Sequence, residues 1–331
     1  MSDGLPPVDG ARARGIDAAS VARTAERAQA VIDEVQRVFV GPRQIPELLL
    51  VTLLAQGHAL LEGVPGVAKT TLCKAFAATL GCQFKRIQFT PDLMPGDITG
   101  TEILDGERNF RFERGPVFAN IVLADEINRT SPKTQAALLE AMQERNVTVA
   151  GKMHHLPRPF FVLATQNPIE QEGTYPLPEA QLDRFMFNIN LGYPTFEQEL
   201  DVIRNTTSDR HVEVSPVLHE REIIEYQQLV RRIPITDHVL EYAVKLVSST
   251  RPGTALAHPQ VKEWLSFGAG PRAGQYLVLG AKCHALVRGK FAPDIEDVKA
   301  VAADVLRHRI VRNYRAEAEG ISADEIVSRL L

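Results

Sequence analysis

The feature that most constrains this chain is a glycine-rich loop between an apolar run and a helical pattern. Residues 60–72 read L-L-E-G-V-P-G-V-A-K-T-T-L. An apolar strand that leads into a loop with glycines, and then into a helix that opens on Lys-Thr, is the context of a phosphate-binding loop. Backbone amides and a helix N-terminus attract anions, and glycine lets the backbone approach phosphate oxygens closely. The sequence therefore predicts a phosphate site here.

The residues of this loop have separable expected roles. Nine of them are expected to contact the nucleotide: Gly63, Val64, Pro65, Gly66, Val67, Ala68, Lys69, Thr70 and Thr71. Lys69 would reach the β- and γ-phosphates of ATP, and the Thr70 hydroxyl would ligate Mg²⁺. Ala68 stands where the pattern G-x-x-x-x-G-K-[ST] has its last glycine, and we expect the loop to keep its shape if Ala68 stays right-handed. The alternative is an ordinary turn with a solvated Lys69.

Two further apolar runs end in polar residues that suit ATP hydrolysis. Residues 121–124 lead into Asp125 and Glu126, so Asp125 could hold Mg²⁺ and Glu126 could polarise the attacking water. Residues 161–164 lead to Asn167, which would help to position that water. The alternatives are a solvated acidic turn and an Asn-Pro turn.

Two arginines are candidates for stabilising charge on the γ-phosphate. Arg184 lies between a helical stretch and the last predicted strand, and is a candidate arginine finger for a neighbouring subunit's nucleotide. Its alternative is an ion pair with Asp183 or Glu179. Arg272 opens a helix at Gly-Pro-Arg-Ala and could sense phosphate, or could be a plain helix-start arginine.

The order of patterns predicts the fold class and the domains. Residues 1–17 lack periodicity, and we interpret them as a disordered leader. Strand and helix patterns alternate over 18–193, which favours an α/β domain with a mostly parallel sheet covered on both faces. Hairpins are predicted at 101–112, with Asp105-Gly106 as the turn, and at 147–155. Helical periods dominate 194–331 and predict a smaller all-helical domain. We interpret residues 307–309 as a solvated helix face.

The overall composition indicates which classes of partner and which cellular compartment to expect. The 331 residues suit two domains, and a net charge of −4 gives no support to a large nucleic-acid surface. Three cysteines without C-x-x-C spacing favour reduced thiols and the cytoplasm. No apolar stretch has the length of a membrane span.

Longer motifs make a family resemblance specific. The run 63–70, the run Asp-Glu-Ile-Asn-Arg at 125–129 and the run 165–185 resemble the MoxR family of AAA+ ATPases. The resemblance extends from about residue 40 to the Gly-Pro-Arg-Ala motif of the helical domain. Alanine before the lysine also suits this family.

The resemblance implies more than the residues show. It implies a P-loop AAA+ core with a C-terminal helical lid, working as a ring that is usually a hexamer, with Mg²⁺ and ATP between subunits. It implies an insertion at 95–112 in the second helix. By position, the resemblance makes Lys69 and Thr70 Walker A residues and Asp125 and Glu126 Walker B residues. It makes Asn167 sensor 1, Arg184 the arginine finger and Arg272 sensor 2. Whether Arg272 acts on the nucleotide of its own subunit or of a neighbour stays open. It also implies chaperone-like maturation of partner complexes, commonly with a von Willebrand factor A domain protein; the client is not readable from the sequence.

Other functions remain as alternatives at this point. The chain could be a nucleic-acid motor or transcription activator, although its near-neutral charge and lack of a DNA-binding module make nucleic acid an unexpected partner. It could be a nucleotide switch that does not hydrolyse ATP, although Glu126 speaks against that. The ATPase subunit of a metal chelatase is a further alternative, which the run 165–185 disfavours.

Overall fold

The structure is a computed structural model that describes residues 16–104, 109–168, 173–208 and 212–331. The predicted leader, 1–17, lies almost entirely outside the described residues, as do the predicted turn at Asp105-Gly106 and part of the 165–185 motif. The interpretation of the leader as disordered therefore stays a prediction.

Five parallel strands form the central sheet, and three antiparallel pairs lie beside it. In chain order the strands are β1 Ala59–Gly63, β2 Phe84–Gln88, β3 Gly100–Leu104, β4 Phe110–Arg114, β5 Ile121–Asp125, β6 Asn146–Val149, β7 Lys152–His155, β8 Phe161–Gln166, β9 Phe187–Leu191, β10 Leu265–Phe267 and β11 Val311–Arg312. The central sheet has the order β2-β5-β8-β1-β9. The pairs are β3-β4, β6-β7 and β10-β11.

Helices cover the sheet and make up most of the chain after β9. They are α1 Ala18–Gln36, α2 Gln44–Leu54, α3 Lys69–Ala78, α4 Pro95–Thr99, α5 Pro132–Glu144, α6 Glu179–Leu182, α7 Phe196–Thr207, α8 Glu220–Arg232, α9 Asp237–Ser249, α10 Pro259–Trp264, α11 Pro271–Val287, α12 Ile295–Leu306, α13 Tyr314–Ala318 and α14 Ala323–Leu330. A short 3₁₀ turn at Ile127–Arg129 follows β5.

The buried central strands face two separate cores, because successive side chains of a strand point to opposite faces of the sheet. In β5, Ile121 and Leu123 join the core that includes α1, α2 and the helices α11 and α12. Val122 and Ala124 join the other core, beneath α5. The prediction of an α/β fold with a parallel sheet covered on both faces is confirmed.

The C-terminal helices share the first of these cores with the sheet. Helix α11 packs on α1 and α2, and α12 packs on β9. This part is predominantly helical as predicted, but it also contains the short β10-β11 pair, which the prediction of an all-helical domain missed. Among the described residues, no helix combines the length and apolar character that a bilayer crossing needs.

The sheet has two edges that matter for function. All five strands run in the same direction, so their carboxyl ends meet at one edge and their amino ends at the other. The phosphate loop follows β1 at the carboxyl edge. The segment 183–186 precedes β9 at the amino edge, where Phe187 is paired with Ala59. At about 3.3 Å per residue, the length of β1 alone separates the two edges by about 13 Å.

Candidate nucleotide site

The loop from Gly63 to Ala68 turns the chain from β1 into α3. A Cβ at Gly63 would lie 2.7 Å from the carbonyl oxygen of Leu191, so only glycine fits beside β9. Gly66 has a φ of +85°, which L-residues rarely adopt. Ala68, which caps α3, carries no side-chain oxygen and leaves the first amides of the helix uncapped by side chains. Uncapped amides at a helix N-terminus can bind an anion.

Ala68 is left-handed, with φ 59° and ψ 26°. The right-handed conformation that we expect as the condition for the loop to keep its shape is therefore not adopted, and that condition is wrong, because the loop leads into α3 with a left-handed Ala68. The chain reaches α3 through this conformation, which costs an alanine about 1–2 kcal/mol because its Cβ approaches the carbonyl. Ala68 is exposed, so its methyl group meets no packed neighbour that would add to this cost.

The Lys69 ammonium lies within the loop. It donates hydrogen bonds to the carbonyl oxygens of Gly63, Val64 and Gln166, at 3.4 Å for Val64 and 3.3 Å for Gln166. The bond to Gln166 ties the phosphate loop to the end of β8. Lys69 is thus in the position predicted for a phosphate ligand, between β1 and β8.

Asp125 is the centre of a polar cluster at the end of β5. Thr70 donates to its Oδ2 at 3.2 Å, and Thr165 donates to its Oδ1 at 2.6 Å. Arg86 of β2 donates to the same Oδ2 from Nε at 2.9 Å and from Nη2 at 2.6 Å. The structure therefore brings the two predicted magnesium ligands, Thr70 and Asp125, into contact.

The donor set at this point suits Mg²⁺, which prefers a few oxygen ligands and keeps several waters. The hydroxyl of Thr70 and the carboxylate of Asp125 supply two oxygens side by side. The Arg86 guanidinium against Oδ2 shows that this oxygen accepts a cation. The residues present fit a magnesium ion.

Glu126 and Asn167 complete the carboxyl edge. Glu126 has a φ of +59° and an amide that donates to Thr165 at 2.8 Å. Its Oε2 accepts from Gln88 at 3.0 Å and from Arg129 at 3.3 Å. Asn167 is buried directly after β8, the strand between β5 and β1. The predicted base and the predicted water-positioning residue thus lie at the same edge as the phosphate loop.

Arg184 and Arg272 lie at the other edge. Both line a cavity of about 170 Å³ that His58 and Tyr276 also border. Arg272 donates to Asp183 Oδ2 at 2.9 Å, and Tyr276 donates to the Arg184 carbonyl at 3.4 Å. The structure places these two arginines together and away from the phosphate loop of their own chain.

The run 307–309 is not a solvated face. Arg309 is 7% exposed and donates to Asp183 Oδ1 at 2.8 Å, to the Asp183 carbonyl at 3.0 Å and to the Met186 carbonyl at 3.1 Å. His308 bonds the Phe185 carbonyl at 3.1 Å, and Arg307 bonds the Asn188 carbonyl. The interpretation of residues 307–309 as a solvated helix face is wrong, because the turn that follows α12 packs against the segment that leads into β9. Both carboxylate oxygens of Asp183 are occupied, by Arg272 and Arg309.

His58 is a buried histidine of the amino edge. The Val162 amide donates to Nδ1 at 3.0 Å, which leaves the hydrogen on Nε2 to donate to the Met142 carbonyl at 3.2 Å. Burial lowers the pKa of His58 to about 4. The ring is therefore neutral at pH 7 and ties β1 to β8 and α5.

Three contributors were not identified from the sequence. Arg86 and Gln88 lie in the edge strand β2, whose register sets Gln88 opposite Asp125. The register of β2 against β5 would have identified them, because it places the polar residues of β2 beside the acidic end of β5. Arg309 gave no local signal, because its partner Asp183 is 126 residues away.

Comparisons with known proteins agree with this geometry. A family model described as "ATPase family associated with various cellular activities (AAA)" matches residues 58–187, and an AAA lid domain model matches 259–330. The chain is 47% identical to Chaperone MoxR1 of Mycobacterium tuberculosis over 95% of its length and 82% of that protein's. It is 46% identical to protein YeaC of Bacillus subtilis, over 91% and 92% of the two chains.

A solved structure has the same architecture. The crystal structure of a protein from Cytophaga hutchinsonii, described as a candidate ATPase, is 42% identical and superposes with a TM-score of 0.87. The match covers 94% of this chain and 95% of that one. With its phosphate loop, parallel sheet and helical lid, the chain belongs to the MoxR family of AAA+ ATPases.

Proposed function

We propose that this protein hydrolyses Mg-ATP at a site shared between neighbouring subunits of a ring, and uses the cycle to remodel partner proteins. The observation that carries the proposal is the division of the site. Lys69, Asp125 and Glu126 lie at the carboxyl edge of the sheet, whereas Arg184 and Arg272 lie at the amino edge.

The carboxyl edge would bind ATP and activate water. Lys69 and the loop amides would bind the phosphates, and Thr70 and Asp125 would hold Mg²⁺, which supplies charge neutralisation on the phosphate oxygens. Glu126 would accept the proton of the attacking water, and Asn167 would orient that water. Gln88 and Arg129 hold the Glu126 carboxylate in this structure, so it must leave them to reach the water.

The amino edge would complete a neighbour's site. The two edges are about 13 Å or more apart, so Arg184 and Arg272 cannot contact the nucleotide bound by their own chain. We assign Arg184 as the arginine finger and Arg272 as a second phosphate sensor, both acting on the adjacent subunit's γ-phosphate. Different surfaces of each copy then meet, which is a head-to-tail interface of the kind that closes rings; we propose a hexamer, the ring size usual for the family.

The family supports a proposal for the partners, and the cysteines support one for the compartment. A relative named as a chaperone supports chaperone-like maturation or activation of protein complexes, and we propose a von Willebrand factor A domain protein as co-factor of the cycle. The described cysteines are free thiols, which supports the cytoplasm. Co-purification of such a protein with the Glu126→Gln variant would test the partner.

ATP binding and turnover test the proposal directly. Lys69→Ala should abolish nucleotide binding, while Glu126→Gln should keep binding and stall hydrolysis in an ATP-bound ring. The ATPase rate per chain should rise with protein concentration as the ring forms. Mass analysis of the same samples would report the size of the assembly. Full activity in a monomer would contradict the shared site, and normal turnover by Glu126→Gln would contradict the assigned base.

A further inference from the structure

Helix α7 presents an apolar stripe to solvent. Within α7, whose residues are all described, no side chain is buried. Phe196 and Ile203 are 71% and 52% exposed, and together with Leu200 they lie on one side of the helix, at i, i+4 and i+7. Just before the helix, Tyr193 is also exposed. An amphipathic helix normally covers such a stripe with a core or a partner.

Acidic side chains flank this stripe. Glu197 and Glu199 lie on its two sides, because at about 100° per residue Glu197 is about 100° from Phe196 in one rotational sense and Glu199 about 60° in the other. Asp201 is paired with Arg204 at 3.2 Å, within the helix. The surface that α7 offers is therefore apolar in the middle and negative at its borders.

The lid carries a groove of complementary character. A cavity of about 880 Å³ runs between α9 and α11. Its apolar lining includes Leu240 and Val244, which are 41% and 53% exposed, with Val247 one turn further along α9. Val278 and Leu279 of α11 line the opposite wall. The groove has the volume and the apolar lining that an apolar helical stripe requires.

Positive side chains border the groove. Arg231, Arg251 and Arg272 line it. Arg251 donates to the Ala269 carbonyl and Arg272 to Asp183, so both are held at the rim. Of the two acids on α9, Glu241 is paired with Lys245 at 3.0 Å, and Asp237 is exposed one turn before Leu240, so the three arginines leave the rim with a net positive charge. The rim thus has the sign opposite to that of the borders of α7.

The two surfaces lie toward opposite edges of the sheet, which favours pairing between copies over pairing within one chain. Helix α7 begins five residues after Leu191, which is paired with Gly63 of the phosphate loop at the carboxyl edge. The groove includes Ala55, Gln56 and Arg272, at the amino edge beside Arg184. When the amino edge of one copy meets the phosphate loop of the next, the groove is brought to α7.

We propose that α7 of each subunit docks, through Phe196, Leu200 and Ile203, into the α9-α11 groove of the neighbouring subunit. This inference rests on the proposed ring and identifies the contact that holds it together. The interface is continuous with the shared ATP site, because Arg272 belongs to both. Assembly and the placement of the finger are then coupled through one helix.

Cross-linking between different copies tests this docking. Cys82 is the half-buried thiol, so the background is Cys82→Ser, with Cys73 and Cys283 buried. Chains with Phe196→Cys are mixed with chains with Val244→Cys in Mg-ATP and treated with a short bismaleimide. The mixture should give a cross-linked dimer that neither chain gives alone. The control Tyr314→Cys, at a position that is 86% exposed and so more accessible than Val244, should not cross-link with Phe196→Cys.

Assembly measurements on charge variants give the second arm. Phe196→Glu and Val244→Glu should each raise the concentration needed for assembly by at least about tenfold, as expected for central apolar contacts, while Tyr314→Glu should not. Unchanged assembly of Phe196→Glu would overturn the proposal. So would a cross-link that forms only within a single chain carrying both Phe196→Cys and Val244→Cys. If the parent assembles and hydrolyses ATP but no mixed cross-link forms, only the docking is lost. If the parent does not assemble at all, the docking and the proposed ring both fail.

Discussion

Two residues of the candidate nucleotide site hold a backbone conformation that their side chains disfavour. Ala68 and Glu126 are both left-handed, with φ of 59°. Each precedes a helix or turn that presents functional groups: α3 with Lys69, and the 3₁₀ turn with Arg129. Left-handed residues other than glycine cost about 1–2 kcal/mol and persist where surrounding structure imposes them. These two residues therefore lower the free energy of unfolding at the positions that would bind phosphate and activate water.

Substitution of Ala68 tests this cost. Ala68→Gly should raise the free energy of unfolding by about 0.5–1 kcal/mol, since relief of strain exceeds the added entropy of the unfolded chain. Ala68→Val should lower it and weaken ATP binding, because a β-branched residue resists φ above zero. Chemical denaturation and nucleotide titration of both variants provide the measurement. A destabilised Ala68→Gly would show that the left-handed turn is not strained.

His58 should make stability depend on pH. Its pKa is lowered from 6.5 to about 4 in the folded protein. Between these values the unfolded chain binds a proton that the folded one does not, so stability falls as the pH drops from 6.5 to 4, by about 3 kcal/mol. Burial also lowers the pKa of His308, which adds a loss of the same sign.

The variant His58→Gln isolates the first contribution. It should be less stable than the parent at pH 7, because Gln replaces the two hydrogen bonds imperfectly. Its free energy of unfolding should nevertheless fall less steeply between pH 6.5 and 4 when denaturation curves are compared. Equal slopes in the two proteins would show that His58 does not carry the effect.

At the scale of elements, the sequence anticipated the carboxyl edge far better than the amino edge. Lys69, Asp125 and Asn167 each lie at or after the end of a strand, within a short continuous motif. Because the strands are parallel, their carboxyl ends lie side by side, so the sequence motifs are enough to predict that these residues lie close together. Arg86 depends on the register of an edge strand, which local patterns do not specify. Arg309 depends on the packing of the lid against the segment before β9, a contact between remote parts of the chain. The β10-β11 strands are too short for a period to be detected.

The contact of Arg309 makes a prediction about the finger. Arg309→Lys should lower the ATPase rate by about a hundredfold, because Lys cannot satisfy the Asp183 and Met186 acceptors together and Arg184 would be misplaced. ATP affinity should be unchanged, since the phosphate loop lies at the other edge. Arg221→Lys, at an exposed site on α8, is the control.

A simple loss of folding would look different. Arg309→Lys chains mixed with Glu126→Gln chains should regain activity, because the second chain supplies a correctly placed finger. Loss of ATP binding in Arg309→Lys, or no recovery on mixing, would mean that Arg309 supports the fold rather than the finger.

At the scale of the whole molecule, the proposed division of the site between two edges would make each copy incomplete on its own. The carboxyl edge has the groups proposed to bind ATP and activate water, and the amino edge has the arginines proposed to complete a neighbour's site. Helix α7 and the lid groove are distributed in the same way. A chain with two different complementary surfaces assembles head to tail, and closure of that pattern gives a ring in which each site has residues from two subunits.

Mixing two inactive variants tests this account most directly. Arg184→Ala chains keep Glu126 but lack the finger, and Glu126→Gln chains keep the finger but lack the base. Neither should hydrolyse ATP alone, whereas a one-to-one mixture should recover roughly a quarter of the parent rate, since one interface in four joins an intact base to an intact finger. Mixed rings, verified by mass, that stay inactive at every ratio would contradict a site shared between subunits.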